Sequence, residues 1–249
     1  VLLTGETDAY YTDFAQDPTG KLARCLSEGF IYQGHTTRHG HTRGEPSGHL
    51  PPSAFVLFLQ NHDQIGNRAL GERLHQLCSP QALSAATTLL LMSPFLFFTD
   101  HHGELAEAVR EGRRNEFADF AAFSDPERRE RIPDPNSLQT FRRSAPALAD
   151  CGDSQLYRHL LSLRHQHIVP HLPGSVALGA QVLADHAVTA RWRLGNGSLL
   201  QIDLNLSAES LNYPAASHLL FVTQESGAQQ LAPFSARVSL THSPVGEHP

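Results

Sequence analysis

The sequence predicts an α/β fold: strand–helix units of a parallel sheet or barrel over residues 1–168, then a small antiparallel β-sandwich over 169–249. Three observations carry that reading. Phe55-Val-Leu-Phe-Leu59 is a dense apolar run of β-forming residues, the pattern of a strand buried on both faces. Immediately after it the chain turns polar, through Gln60, Asn61, His62, Asp63 and Gln64 to Asn67 and Arg68. Parallel sheets and barrels keep their chemistry at the C-terminal ends of strands. Beyond Pro173-Gly174 the apolar period changes from helical spacing to two.

Bulk composition narrows the function classes. The chain has 249 residues, 40% hydrophobic and 18% charged, enough for a large core and inconsistent with global disorder. Its net charge of −6 argues against nucleic acid or an anionic membrane as the main partner. Cys25, Cys78 and Cys151 are far apart, odd in number and form no CxxC pair. A disulfide framework and a zinc site are therefore not expected, and a reducing cytoplasm suits the chain. No window approaches eighteen apolar residues, and the opening Val-Leu-Leu-Thr-Gly-Glu lacks the basic start of a signal peptide.

Taken in order, Leu22, Leu26 and Phe30 recur at spacing four on a helix that starts at Asp17-Pro18 and ends near Gly29. Tyr10 and Tyr11 lie in the connection before it and pack over a core edge. Residues 33–54 read as a long polar loop, rich in Gly and Pro, with His35, His39, His41 and His49. These histidines lack an acidic or Cys partner at metal-ligand spacing. The strand Phe55 to Gln60 follows, then a helical turn over 65–74. Ser79-Pro80 is an N-cap and N1 pair opening a helix with Leu83, Ala86, Thr87, Leu90 and Leu91 on one face. Phe95-Leu-Phe-Phe98 is a candidate short strand. Asp100, His101, His102 and Glu104 are read as the acidic start of a helix that runs to Phe123. Residues 124–153 are loop-rich, and a helix over 154–168 buries Leu156, Leu160 and Leu163. Strands are expected at 176–178, 187–194, 199–205, 218–223 and 236–240, with Gly195-Asn-Gly197 as a hairpin turn.

The candidate site is the polar end of the 55–60 strand. Asn61, His62 and Asp63 offer an amide, an imidazole and a carboxylate on one tight loop. Neutral Asn, Gln and His both donate and accept, which suits sugar hydroxyls, and a carboxylate can hold developing positive charge. No serine occupies a strand-to-helix elbow, no GxGxxG follows a strand and no phosphate-binding loop is present. Carbohydrate chemistry and a purely structural loop are the two readings left, the first favoured.

Phe58-Leu-Gln-Asn-His-Asp63 resembles the fourth conserved region of the α-amylase superfamily, glycoside hydrolase family 13. Extended through Gln64-Ile-Gly-Asn-Arg68 and Gly71-Glu-Arg-Leu74, it is similar to the malto-oligosyltrehalose trehalohydrolase branch of that superfamily. Leu3-Thr-Gly-Glu6, Tyr10-Tyr11, Glu28-Gly-Phe-Ile-Tyr-Gln-Gly34, Arg43-Gly-Glu-Pro-Ser47, Phe98-Thr-Asp-His101 and the stretch Leu105 to Arg114 match in the same order. The resemblance implies a retaining glycosidase on a (β/α)8 barrel with a C-terminal β-domain. Its substrate would be maltooligosyl trehalose, an α-glucan, cleaved at the α-1,4 bond next to the trehalose end; no cofactor or metal is implied. Asp63 would be the carboxylate that supports the oxocarbenium-like transition state, and His62 would bond to the sugar beside the scissile bond. Asn61, Gln64 and Arg68 would orient the loop or touch substrate.

The same resemblance predicts gaps. A (β/α)8 barrel takes about 250 residues, whereas about 168 precede the β-domain here. Val1 matches a position after the sixth barrel strand, and the eighth strand is expected to be deleted between Ser93 and Phe97. The Asp nucleophile and Glu acid of the family, which retaining chemistry holds roughly 5 Å apart, match no residue of this sequence. Two competing readings are a non-catalytic carbohydrate-binding remnant and another family 13 enzyme such as a branching enzyme. The Gln-Ile-Gly-Asn-Arg extension speaks against the latter.

Overall fold

The computed structural model describes residues 1–36, 40–61, 64–65, 68, 71–97, 138–139, 142, 154–227 and 229–242. The sequence readings for 100–123 and, apart from 138–139 and 142, for 124–153 lie outside the described residues, as do His39, Cys151 and nearly all of the tail after Thr241.

A short helix α1 (Thr12–Ala15) leads into α2 (Pro18–Glu28). Asp17 is the N-cap of α2 and accepts from the Gly20 N–H, Pro18 supplies the fixed φ of a first helical turn, and Gly29 at φ 90° ends it. Ala23 and Leu26 go into the core, but Phe30 is 54% exposed, so the helical stripe stops before it. Residues 33–54 are not the structureless loop expected from their composition. Strands β1 (Gln33–Thr36) and β2 (Thr42–Gly44) pair antiparallel. The Gly44 position explains why a Gly-rich segment can do this: its φ is 74°, and a Cβ there would lie 1.9 Å from the Tyr32 carbonyl oxygen.

The organising strand is shorter than expected. It is β3, Val56–Leu57, and it runs parallel to β4, Leu96–Phe97, in the register Val56↔Leu96 and Leu57↔Phe97. Between them lie α3 (Leu74–Leu77) and α4 (Pro80–Met92). The unit is therefore strand–helix–strand, and the place where the eighth strand was expected to be missing is filled by two residues. The expectation of burial on both faces fails. Phe55 is buried, but Val56 is 52% exposed and Phe58 42%, and Leu96 across from Val56 is also exposed. Among the described residues no further strand joins this two-stranded parallel pair.

Helix α4 starts as expected, with the Ser79 hydroxyl accepting from the Ala82 N–H at 3.1 Å. Its burial is wider than one stripe: Ala82, Ala85, Ala86, Thr87, Thr88, Leu89, Leu91 and Met92 are all buried. The small residues let it lie between the sheet and α5 (Ser154–His167). Arg164 of α5 is buried and donates to the carbonyls of Leu91 (2.9 Å), Ser93 and Phe95 (2.7 Å). It thus satisfies the frayed end of α4 and the start of β4 with one side chain. Burial lowers its pKa to about 10.

From residue 176 the strands are β5 (Val176–Ala184), β6 (Ala187–Arg193), β7 (Leu199–Asn205), β8 (Leu211–Asn212), β9 (Leu219–Val222), β10 (Gln230–Leu231) and β11 (Ser235–Thr241); β6, β7, β9 and β11 fall close to expectation, β5 runs well past the expected 176–178, and β8 and β10 were not expected. Their arrangement differs. They form one five-stranded antiparallel sheet, β5-β6-β7-β11-β9, with β8 and β10 as a separate ribbon, rather than two matched sheets. Helix α2 packs on β5 and β6 and α4 packs on β7 and β11. Helices take the place a second sheet would occupy. One core results, with Trp192, Leu200, Ile202, Leu204 and Val238 meeting Leu26, Phe55, Leu89, Met92, Phe95 and Leu160. A ladder of aromatic contacts, Phe30–Phe55 (5.1 Å), Phe55–Phe95 (6.3 Å) and Phe95–Trp192 (6.2 Å), runs from the end of α2 through β3 and β4 to the sheet.

Candidate functional site

The polar stretch leaves the C-terminal end of β3 and is closed as a loop by side chains of its own motif. The Leu74 N–H donates to Gln60 Oε1 at 3.3 Å, so Gln60, the third residue after β3, pins the helix that ends the loop. Within the loop the Asn61 N–H donates to Gln64 Oε1 at 3.0 Å, and the Ile65 N–H to the Asn61 carbonyl at 3.3 Å. Arg68 continues the series: its N–H donates to the Ile65 carbonyl and its own carbonyl accepts from Gly71. Of the five residues expected to form the site, Asn61, Gln64 and Arg68 are described and brought together on this loop. His62 and Asp63 lie outside the described residues. Asn61, Gln64 and Arg68 were expected to orient the loop or touch substrate; among their described bonds are those within the loop given above.

Arg68 reaches furthest. Its side chain is 12% exposed and forms a two-pronged ion pair with Glu6, Nη1 to Oε1 at 2.7 Å and Nη2 to Oε2. The Thr4 hydroxyl donates to the same Oε2 at 3.0 Å. Burial pushes the Glu6 carboxyl up, but the bonds from Arg68 and Thr4 and the guanidinium charge outweigh it and hold the group below its ordinary range. The Glu6 carboxylate in turn holds the Arg68 guanidinium above its usual value.

A second junction ties the end of α2 to the 33–47 segment. Ser47 donates from its hydroxyl to the Glu28 carbonyl (2.6 Å) and from its N–H to Gln33 Oε1 (2.8 Å), while Gln33 Nε2 donates to the Phe30 carbonyl (2.8 Å). Arg43 lies over the Tyr32 ring at 4.7 Å. Glu28 to Gly34 and Arg43 to Ser47, separate motifs in the sequence, are thus the two sides of one hairpin. Glu6, Gln60 and the Ser47–Gln33 pair were not singled out as site residues. The signal that could have found Glu6 was its place in Leu3-Thr-Gly-Glu6, an acidic residue with no local basic partner.

Among the described residues no group of three or more His, Cys, Asp or Glu could hold a metal. His35, His41 and His49 are exposed and apart from one another in role; His35 Nδ1 accepts from the Gln33 N–H. Cys25 and Cys78 are free thiols, and burial pushes Cys25 up to about 11. An open depression of about 460 Å3 lined by Arg158, Leu161, Ser162, Arg164, His165 and Val169 sits on α5 and shares no residue with the motif loop. The depression's most buried cation, Arg164, is bonded to backbone carbonyls. No described helix is long and apolar enough to cross a membrane.

A family model described as a domain of unknown function, DUF3459, matches residues 177–238, the five-stranded sheet region. A crystal structure from Salmonella typhimurium, described as that of a candidate α-amylase, superposes on 97% of the chain with a TM-score of 0.81 at 38% identity, using 44% of its own chain. Over its matched part the chain is therefore similar to an α-amylase-like fold. Curated relatives narrow it. The malto-oligosyltrehalose trehalohydrolase of Deinococcus radiodurans is 40% identical over 196 residues (69% of this chain, 32% of the relative). That of Rhizobium sp. is 37% identical over 276 residues (96% of this chain, 44% of the relative). The chain is a homologue of the malto-oligosyltrehalose trehalohydrolases, and it spans 32% and 44% of the length of these two relatives. The Rhizobium match runs over 276 residues against a chain of 249, so that relative carries segments absent from this chain.

Proposed function

We propose that the chain forms part of a retaining α-glycosidase that hydrolyses the α-1,4 bond next to the trehalose end of maltooligosyl trehalose, releasing trehalose. The observation that supports this most is the match to trehalohydrolases over nearly the whole chain, with the Asn61-His62-Asp63 motif at the C-terminal end of a parallel strand. In this reading Asp63 supports the positive charge that develops on the sugar ring, and His62 bonds to the same sugar. Asn61, Gln64 and Arg68 shape the loop that presents them. The nucleophile and acid come from polypeptide that the relatives possess and this chain does not match, so residues 1–249 alone hydrolyse nothing. The division into a barrel part, 1–168, and a β-domain, 169–249, belongs to the same proposal, as does a cytoplasmic location with no nucleic-acid or membrane partner.

The test is an assay of the purified chain with maltooligosyl trehalose, together with calorimetry against maltopentaose. Glucan binding without trehalose release is expected. Release of trehalose by the chain alone would overturn the assignment of nucleophile and acid to other polypeptide. Absence of any glucan binding would leave Asn61 to Arg68 a structural loop.

A further inference from the structure

We propose that β5 is a dimer-forming edge: it pairs antiparallel with the β5 of a second copy of this chain, about a twofold axis at Ala180, and joins the two five-stranded sheets into one. The proposal stands apart from the glycosidase reading and does not depend on it.

The two edges of the sheet are built differently. The order β5-β6-β7-β11-β9 leaves β5 and β9 outermost. Strand β9 is four residues long, and its Phe221 ring lies 5.6 Å from the His159 ring of α5. A short strand with a helix beside it is a guarded edge. Strand β5 runs for nine residues, and among the described residues it pairs with β6 alone. Its sequence, Val176-Ala-Leu-Gly-Ala-Gln-Val-Leu-Ala184, has no charge and no proline, the residues that usually keep an edge strand from pairing. Leu178 is 47% exposed and Val182 49%. An edge strand presents a row of backbone N–H and C=O groups, and here apolar side chains accompany them, as on a surface that adds a strand.

The strand's own register names the occupant. Side chains alternate between the faces of a sheet, and a twofold axis perpendicular to the sheet keeps both copies of a residue on one face. Residues opposite one another must share a face, so the axis passes through a residue position and not between two. An axis at Ala180 sets Leu178 opposite Val182 of the partner subunit, and Val182 opposite the partner's Leu178. The half-exposed apolar residues of each copy then cover those of the other as cross-strand pairs. The axis falls in the regular part of β5: Gly179 to Val182 pair one to one with Arg191 to Val188, and the register shifts lie outside them. Gly179, beside the axis, has open space around it, since an added Cβ would meet nothing within 4 Å. A glycine in a strand suits the close approach of a second backbone. Asp185, the nearest charge in sequence, falls opposite Ser175 of the partner subunit, so like charges do not meet.

The experiment is sedimentation equilibrium of the full chain at tens of micromolar and after dilution, with hydrogen exchange of 176–184 at both concentrations. Expected are a mass near twice 27.3 kDa at the higher concentration, and β5 amides whose protection falls on dilution together with the mass. Leu178→Lys combined with Val182→Lys sets like charges opposite one another and should weaken the dimer by about a hundredfold or more. Leu178→Lys combined with Val182→Glu carries as many charges but sets opposite signs across the axis, and should restore it. Both positions are half exposed, so the monomer's melting temperature should move by only a few degrees. Should the double-lysine variant fail to fold, the concentration dependence of β5 exchange in the unaltered chain decides alone. A chain that stays monomeric at tens of micromolar overturns the proposal. So does a dimer indifferent to both variants, which would associate through another surface, and so does equal loss in both, which would exclude the Ala180 register.

Discussion

The sheet of residues 176–241 and the parallel pair of 56–57 with 96–97 are built from similar residues and differ sharply in pairing length and burial. In the sheet, β6, β7 and β11 align over seven residues each, Ala187 to Arg193 against Leu199 to Asn205 and Ser235 to Thr241. Trp192, Leu200, Ile202, Leu204 and Val238 are buried on its helix-facing side. The parallel pair has two residues per strand, with Val56 and Leu96 exposed, as is Phe58 just past β3. The difference lies in the type of connection. Antiparallel strands are joined by tight turns such as Leu194 to Ser198, so a short piece of chain completes the sheet from its own sequence. Parallel strands need a long crossover each, so a short piece completes two of them at most.

Even the polar side of the sheet is closed from within. Asp203, fully buried on β7, accepts from Arg237 Nε (3.0 Å) and Nη2 (2.9 Å) on β11 and from Thr189 (2.7 Å) on β6. Arg237 also lies 5.1 Å from the centre of the Tyr213 ring. Asp203→Ala leaves that guanidinium buried without its carboxylate, and a loss of about 3–5 kcal/mol is expected in urea unfolding of the full chain. A loss below about 1 kcal/mol would mean that the sheet is not the stable half. Arg164→Ala comes next. Removing one cation from three carbonyls costs about 2–4 kcal/mol, and it strikes at the joint between the two regions. The Leu96 N–H, bonded to the Phe55 carbonyl at 3.1 Å, should lose its exchange protection before the amides of β6 and β7 do. Loss of protection in both places together would show one cooperative unit. Gly44→Ala should act more locally still: the added Cβ collides with the Tyr32 carbonyl, so exchange in 33–44 rises while melting temperature shifts by only about 2–4 °C.

This contrast also decides what could be read from the sequence. Period-two alternation and the Gly195-Asn-Gly197 turn are local signals, and the strand positions they imply lie close to those observed. So do the caps at Asp17 and Ser79, where one side chain meets a backbone N–H three residues on. The second layer was misread as another sheet because nothing local says that α2 and α4, distant in sequence, cover β5 to β11. The 33–44 hairpin was hidden for a related reason: its strands are exposed and polar, so no apolar alternation marks them. At the candidate site the loop itself was legible from the abrupt change at Gln60. Its ties were not, since Glu6 to Arg68 and Gln33 to Ser47 are long-range pairs between residues that each look like solvated surface.

The smallest expected effect is the one that tests the comparison from the weaker side. Val56 is 52% exposed and Leu96 45%. If these faces meet water in the isolated chain, Val56→Thr and Leu96→Thr each remove little buried apolar area, and unfolding free energy should change by no more than about 0.5 kcal/mol. The changes should nevertheless reduce binding of a hydrophobic dye and slow self-association, because each removes apolar surface from an open sheet face. The matched control is Ile202→Val, fully buried in the sheet, which should cost about 0.5–1.5 kcal/mol with no effect on dye binding. Should Val56→Thr instead cost more than Ile202→Val, the parallel pair is covered in solution by another copy of the chain, and the asymmetry between the two regions belongs to the monomer alone.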